Sequence, residues 1–281
     1  MLDASQRLTV LARTAMPRSL PPEILDLIVD HLHGEPATLK SCCAVSKSWV
    51  PRTRRNLFAR VELNAHTYHI ARWKKTFPDP FNSPACYTST LCISDLPTLT
   101  VTDADVGSWI CTFRNVVHLE VLYVGPVALV PFYGLSPTVR SLRLTHCTPE
   151  VFDLIYSFPL LEDLALVGLL PGSRVDVWNP PPTSPKLTGS LNLKTRGIAP
   201  PVARRLLDLP DGLRFSRINV VFFDDEAQSV KDLVLACSDI LESLTTSYRP
   251  SGAFYSAPVT GQYLTAICRH RHTPDGSSRS L

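Results

Sequence analysis

Short apolar triplets recur along the chain from about residue 88, and no other feature limits the possible fold so strongly. In most triplets two apolar residues flank a central residue of a different kind. This alternation places one face of a short strand inward and the other outward. Successive triplets begin 22 to 28 residues apart. They are Leu91–Ile93, Leu119–Val121, Leu142–Leu144, Leu164–Leu166, Leu191–Leu193, Ile218–Val220 and Leu244–Thr246.

Helical patterns lie between the triplets, at Asp103–Thr112, Glu150–Ser157, Pro201–Leu207 and Glu226–Cys237. Strand then helix, repeated with short loops, predicts an α/β solenoid with parallel strands on the concave side and helices and loops on the convex side. The spacing matches the roughly 20 to 29 residues of leucine-rich repeats, although the asparagine usual after the triplet is missing from every unit. The alternative is an ordinary α/β domain with leucines at chance spacing.

Two stretches interrupt this pattern. Val177–Pro185, with the sequence VWNPPPTSP, contains too many prolines for a helix or a central strand, which predicts a loop. Trp178 and these prolines would form either part of a binding rim or an exposed spacer. A solenoid needs a polar terminal cap, so residues 248–268 either form an irregular cap or belong to a truncated version of a longer chain.

The segment Leu20–Trp49 has a helical pattern and more apolar residues than so short a segment can bury within itself. Pro22 suits the first turn of a helix, and Glu23 suits its positive end. Two apolar rows follow, so this helix needs two neighbours. The first row is Ile24, Ile28 and Leu32, and the second is Leu25, Val29 and Leu32.

Signals for two further helices follow the first. Gly34 and Pro36 end the first helix, and Thr38 is the predicted N-cap of a second. Pro51 either opens a third helix or kinks the second. The basic residues beyond it form either a solvated helix face or a site for an anionic partner. They are Arg52, Arg54, Arg55 and Arg60.

The segment resembles the F-box family, whose pattern is Leu-Pro-x-Glu-Ile/Leu, then Ile and Leu, then Leu and Val-Cys/Ser-Lys/Arg-x-Trp. The continuation PRTRRNLFARVEL resembles that of F-box proteins expanded in mushroom-forming fungi. The loop His33–Thr38 is slightly longer than in the family. The matching residues are Leu20, Pro21, Glu23, Ile24, Ile28, Leu32, Leu39, Val45, Ser46, Lys47 and Trp49.

The resemblance implies binding to the Skp-type adaptor of SCF ubiquitin ligases, and through it to the cullin and RING subunits, while the repeats bind a target protein. The surplus apolar face agrees with this, because a groove on a partner would bury it. The alternative is a ligase-independent leucine-rich-repeat scaffold, whose F-box-like helices only cap the solenoid. The adaptor-binding residues implied are Leu20, Pro21, Glu23, Ile24, Leu25, Ile28, Leu32, Leu39, Val45, Lys47 and Trp49.

The expected organisation has a flexible lead-in (1–18), an F-box helical module (19–63), a connector (64–87), the solenoid (88–268) and a disordered tail (269–281). The eight cysteines are scattered without a CxxC pair, which favours a reducing compartment, the cytoplasm and/or the nucleus. The first 18 residues lack a secretory signal, and their arginines leave a mitochondrial presequence as the alternative. The longest uncharged run, Val121–Val139, contains three prolines, so no membrane association is expected.

Composition and motifs argue against catalysis and against nucleic acid as a partner. The net charge is only +3, and no basic stripe alternates with aromatic residues. No nucleophile elbow, phosphate loop or dinucleotide-binding motif is present, so we expect no enzyme, no catalytic residue and no cofactor. A hydrolase on an α/β core is the third possibility, supported only by scattered His, Asp and Cys residues.

The candidate metal ligands are weak, and we expect no metal site. His31 and His33 with Cys42 and Cys43 match no zinc spacing. Cys268, His270 and His272 lack a fourth ligand, and the acidic run 224–226 is explained by the start of a helix more simply than by metal or acid–base chemistry.

Overall fold

A computed structural model of the chain describes residues 21–64, 69–79, 82–94, 110–123, 130–135, 137–147, 153–169, 185–194, 199–209, 212–223, 226–248 and 263–266. The chain divides into two compact units between Ala59 and Arg60, a helical unit and a sheet unit. Among the described residues, no helix is both long enough and apolar enough to cross a bilayer.

Three short helices form the helical unit: α1 (Pro22–His31), α2 (Pro36–Val45) and α3 (Val50–Leu57). Each has a proline in its first two positions, where the missing N–H would have had no partner within the helix. Pro51 therefore opens a third helix. The N-cap prediction for Thr38 is wrong: Pro36 starts α2 earlier, Glu35 precedes it, and the Thr38 hydroxyl donates to the Glu35 carboxylate at 2.9 Å.

The helical unit packs around α3, which lies against both α1 and α2. Val29 from α1, Leu39 and Cys42 from α2, and Thr53 from α3 are buried. A polar contact adds to this small core: the Asp30 carboxylate on α1 accepts hydrogen bonds from side chains on α3. The unit therefore buries one side of α1, and the other side is left for a partner or for solvent.

The sheet unit contains nine strands within the described residues, and each pairs with the next one in the chain. The first eight are parallel and the ninth is antiparallel to the eighth. Parallel neighbours in sequential order need a crossover after every strand, and this arrangement is compatible with a solenoid-like α/β fold. The strands are β1 (Arg60–Asn64), β2 (Thr90–Ser94), β3 (His118–Leu122), β4 (Ser141–Thr145), β5 (Asp163–Val167), β6 (Ser190–Lys194), β7 (Arg217–Phe222), β8 (Ser243–Tyr248) and β9 (Tyr263–Ala266).

Short helical pieces occupy several of the crossovers. The predicted helices at Pro201–Leu207 and Glu226–Cys237 are present with slightly different ends, and a short helix lies within Glu150–Ser157. Most of the predicted helix Asp103–Thr112 lies outside the described residues. The observed pieces are α4 (His69–Thr76), a 3₁₀ turn (Pro84–Tyr87), a second 3₁₀ turn (Val130–Leu135), α5 (Asp153–Tyr156), α6 (Ala199–Leu207) and α7 (Ala227–Ala236).

Every predicted triplet lies inside a strand, and the strands pair in register. From β1 to β7 the second and fourth residues are buried, as Leu91 and Ile93 are in β2. Leu119 of β3 pairs with Leu91 on one side and Leu142 on the other, so identical positions form continuous apolar rows. The crossovers add the fully buried aromatic rings Phe113, Phe132, Phe158 and Phe215. The core of this unit is therefore a stack of equivalent layers.

The sheet extends further than the triplets indicated at both ends. β1 begins at Arg60, so the expected module boundary after residue 63 falls within the sheet unit, and the expected connector 64–87 contains α4 and a 3₁₀ turn. Val61 and Leu63 alternate with polar residues as the triplets do. This strand was not predicted, because it follows the helical segment directly. At the other end β9, within the stretch predicted as either an irregular cap or part of a truncated chain, pairs with β8 and covers its edge.

Three predictions fall on residues that are not described: the lead-in 1–18, nearly all of the proline-rich loop Val177–Pro185, and the tail 269–281.

Candidate functional site

One side of α1 is apolar and exposed. Ile24, Leu27 and Ile28 are 42, 57 and 41% exposed, and their spacing of three and four residues puts them in one row. Val45, at the end of α2, is also an exposed apolar side chain. We call Ile24, Leu27 and Ile28 the apolar face of α1. Scattered exposed leucines are normal, but three in one row on a ten-residue helix form a contiguous patch.

The second predicted row, on a different side of the same helix, is used inside the helical unit. Val29 is only 1% exposed, and Leu25 and Leu32 are half-buried. The prediction that α1 carries apolar residues on two sides therefore agrees with its structure, in which α3 covers one side. Leu27 was left out of both predicted rows, although its position three residues after Ile24 already placed it beside that residue on a helix.

The residues that the F-box resemblance implies for adaptor binding divide into four groups. Leu20 lies outside the described residues, and Leu39 is buried in the core of the helical unit. Leu25, Leu32 and Trp49 are half-buried. The exposed members are Pro21, Glu23, Ile24, Ile28, Val45 and Lys47.

A polar clamp holds α1 against α3 beside this face. Arg52 donates through Nε to Asp30 Oδ1 at 2.7 Å and through a terminal nitrogen to Oδ2, and Asn56 Nδ2 donates to Oδ1 at 2.8 Å. The hydrogen bond from Arg52, then that from Asn56, lowers the pKa of Asp30 from 3.8 to about 2. The carboxylate is thus charged at neutral pH, and it fixes the rotation of α1 relative to α3.

The four arginines predicted to form one basic group have separate roles. Arg52 belongs to the clamp, and Arg54 and Arg55 are exposed on α3. Arg60 lies in β1, where it donates to Glu62 at 2.9 Å and to Glu120 at 3.1 Å. Two of the four charges are therefore neutralised by carboxylates.

The first, third and fifth residues of β1–β7 form the outer face of the sheet, opposite the buried apolar rows. Glu120, Arg143 and Asn192, the central residues of three triplets, share this face. Glu120 is paired with Arg60, Arg143 is exposed, and Asn192 is half-buried with no hydrogen bond to its Oδ1.

The same face has polar groups that satisfy one another. Asp163 accepts hydrogen bonds from the backbone N–H of Ser190 at 2.7 Å and from its hydroxyl at 2.6 Å, and Arg217 approaches to 3.9 Å.

Burial raises the pKa of the Cys92 thiol to about 11, and the charge of the neighbouring Glu120 adds to the shift. Cys92 is therefore a poor nucleophile at neutral pH.

Three consecutive strands are each followed by a residue with left-handed backbone conformation: Tyr123 and His146 at φ 52° and Gly168 at φ 56°. The rings of Tyr123 and His146 stack at 4.8 Å, and His146 Nδ1 donates to the Gly168 carbonyl at 3.1 Å. This backbone conformation is uncommon for residues other than glycine, so neighbouring groups must support it. Here the ring stack and the backbone hydrogen bonds between neighbouring strands hold the strand ends. Sequence inspection missed it, because no local pattern marks a left-handed tyrosine.

Within the described part of the chain, no group of three His, Cys, Asp or Glu side chains is arranged to hold a metal ion. The C-x-H-x-H run and two of the three residues in the acidic run 224–226 fall outside that part. The third, Glu226, is fully buried and accepts the Phe223 backbone N–H at 2.9 Å, as a residue at the start of a helix commonly does.

Comparison with protein-family models, with curated proteins and with solved structures found no match to this chain. The geometry itself defines a class: an α/β protein with a sequentially ordered sheet, eight of whose nine described strands are parallel. A separate helical unit precedes the sheet and exposes an apolar helix face.

Proposed function

We propose that this protein is the substrate-recognition subunit of an SCF-type ubiquitin ligase. In this proposal the helical unit is an F-box that binds the Skp-type adaptor, and the sheet unit is an irregular leucine-rich-repeat solenoid that binds a target protein. The observation that carries the proposal is the apolar face of α1, exposed on a helix whose other side is already buried.

The chemistry of this face favours docking into a groove. An amphipathic helix that presents residues spaced by three and four positions is a common ligand for an apolar groove on another protein. The clamp between Asp30 and Arg52 holds the face in place before binding, which reduces the ordering cost of association. Glu23 and Lys47 are exposed in the same unit and would form polar rim contacts of small energy.

The sheet unit suits recognition better than catalysis. It offers an outer face on which seven neighbouring strands display side chains in register, and such a surface can bind a polypeptide over a large area. In a ligase this subunit performs no chemistry. It raises the effective concentration of the target near the charged ubiquitin carrier, in the cytoplasm or the nucleus.

Coexpression with a Skp-type adaptor, followed by size-exclusion chromatography, tests the proposal. We expect the wild-type chain to co-elute with the adaptor and the double variant Leu27→Asp/Ile28→Asp to elute alone, because two charges would have to be buried without partners. Leu235→Asp/Ile240→Asp is the matched control, since these side chains in the sheet unit are 58 and 40% exposed. The control should co-elute like the wild type.

Two results would contradict the adaptor proposal: no co-elution of the wild-type chain, or co-elution that survives the α1 substitutions. The test substitutes Leu27 and not Leu32, because Leu32 is half-buried. Loss of binding after a substitution of Leu32 could therefore result from unfolding of the helical unit. Deletion of residues 1–59 tests the alternative of a ligase-independent scaffold. A docking module in a separate compact unit leaves the sheet folded, whereas a structural cap unfolds it when removed.

A further inference from the structure

Unsatisfied polar groups on the outer face are concentrated on β4–β6. Arg143 of β4 and Lys194 of β6 are exposed and have no ion-pair partner among the described residues, and Asn192 Oδ1 is buried without a hydrogen bond. The other charged side chains of this face are paired. Arg60 contacts two glutamates, and Asp163, on β5 itself, contacts Ser190 and Arg217. Buried polar atoms without partners are rare in folded proteins, and each calls for an explanation.

Small apolar side chains lie between these two cations. In register, Ala165 of β5 separates Arg143 from Asn192, and Val167 lies beside Lys194. With strands about 4.8 Å apart and about 3.3 Å per residue along each strand, the backbones of Arg143 and Lys194 are separated by about 12 Å. The result is an apolar strip with a cation at each end. We call it the β4–β6 patch.

We propose that the β4–β6 patch binds an extended acidic peptide of the target, with carboxylates at positions i and i+4 against Arg143 and Lys194. In an extended chain these two side chains point the same way and lie about 13 Å apart, which matches the patch. The side chain at i+2 then lies over Ala165 and Val167, so a small apolar residue fits. The inference rests on the proposed function for the nature of the target.

The charge distribution favours a peptide over a polyanion. A nucleic acid needs cations at many phosphates along its path, whereas the patch has two. Glu120 of β3 lies in register beside Arg143, and Glu62 lies further on at β1. A ligand whose negative charge continued past Arg143 towards β1 would therefore meet two carboxylates.

Fluorescence anisotropy with the full-length protein and a labelled peptide GSDSVSDSG tests the inference. We expect saturable binding that weakens at least tenfold when both aspartates become asparagine, and severalfold when one is shifted to give i and i+3 spacing. Arg143→Ala and Lys194→Ala should each weaken binding about threefold, and the double variant about tenfold, as expected for partly exposed ion pairs.

The matched control is Lys186→Ala/Arg214→Ala, which removes two exposed cations outside the strands. It should bind the peptide as tightly as the wild type does. Equal loss in this control, equal binding of the asparagine peptide, or equal binding of the shifted peptide would overturn the inference. Tighter binding of a peptide with one phosphoserine and no aspartate would also overturn it, because one doubly charged group would then replace the two carboxylates.

Peptide binding is measured without the adaptor, so the two proposals fail separately. Leu27→Asp/Ile28→Asp should bind the peptide normally, and Arg143→Ala/Lys194→Ala should still co-elute with the adaptor. If the second variant lost the adaptor, the patch would have no separate role as a target site, and the inference would be wrong.

Discussion

Substituting Gly168 by alanine tests how the strand ends of the sheet unit are held. Gly168 follows β5 at φ +56°, and a Cβ built there would lie 2.7 Å from His146 Cε1 and 2.9 Å from Nδ1. Two costs therefore add. The left-handed backbone penalises any Cβ by about 1 kcal/mol, and displacing a stacked ring adds about 1–3 kcal/mol, as overpacking does.

Gly212 separates these two costs. It has φ +68°, but a Cβ there would meet nothing within 4 Å, so Gly212→Ala bears the backbone penalty alone. We expect Gly212→Ala to lower the free energy of unfolding by about 1 kcal/mol and Gly168→Ala by about 3 kcal/mol. Urea denaturation followed by circular dichroism measures both. Gly34→Ala, in open space without a left-handed backbone, should have little effect.

Removing the ring identifies the source of the larger cost. In the background of His146→Ala, the substitution Gly168→Ala should cost no more than Gly212→Ala does, because only the backbone penalty is left. If Gly168→Ala is as mild as Gly212→Ala in the wild-type background, the stack is loose and our explanation of the strand ends is wrong. If the large cost persists without the ring, the clash lies elsewhere.

Three further predictions concern single side chains. Because its contacts hold the pKa of Asp30 at about 2 rather than 3.8, the charged form stabilises the fold above pH 4, and this contribution is lost as the pH falls towards 2. Asp30→Asn should therefore lower the melting temperature at pH 6, by the equivalent of about 1 kcal/mol or less after solvent screening. The difference in melting temperature between the wild type and this variant should narrow below pH 4, and a difference independent of pH would refute the prediction. Cys92, with its pKa near 11, should react with iodoacetamide more slowly at pH 8 than the exposed Cys86, as mass spectrometry would show; equal rates would contradict the burial argument. Leu27→Ala should leave unfolding nearly unchanged but weaken adaptor binding about tenfold by calorimetry, since the exposed 57% of the side chain is buried only on docking; a loss of stability instead would show that Leu27 is a core residue.

Much of the sheet could be predicted from local sequence, because a strand has a period of two and its buried face must be apolar. The alternation in Leu119–Val121 and Leu142–Leu144 is enough to assign which residues point inward, and their similar spacing predicts that they lie side by side. The starts of the helices were equally local at Pro22 and Pro51, since proline acts through its own ring and its missing N–H.

The candidate sites were predictable only in part. Ile24 and Ile28 could be assigned to one side of α1 from their spacing, but the sequence gives two equivalent apolar sides. α3 determines which side is buried, through packing against Val29 and through the contact between Arg52 and Asp30 across 22 residues of chain. Leu27 is exposed because α3 packs against a different side of α1.

The remaining features depend on residues that are distant in sequence. Arg60 and Glu120 are 60 residues apart, and they pair because β1 and β3 both flank β2. Tyr123 and His146 stack only once two strands end side by side. Lys194 has valines as its register neighbours on β5 and β7, and no ion-pair partner within the described ranges. Local alternation thus specifies the strands and their inward faces. The order of the strands decides which outward side chains meet, because pairing brings together residues that the sequence keeps apart.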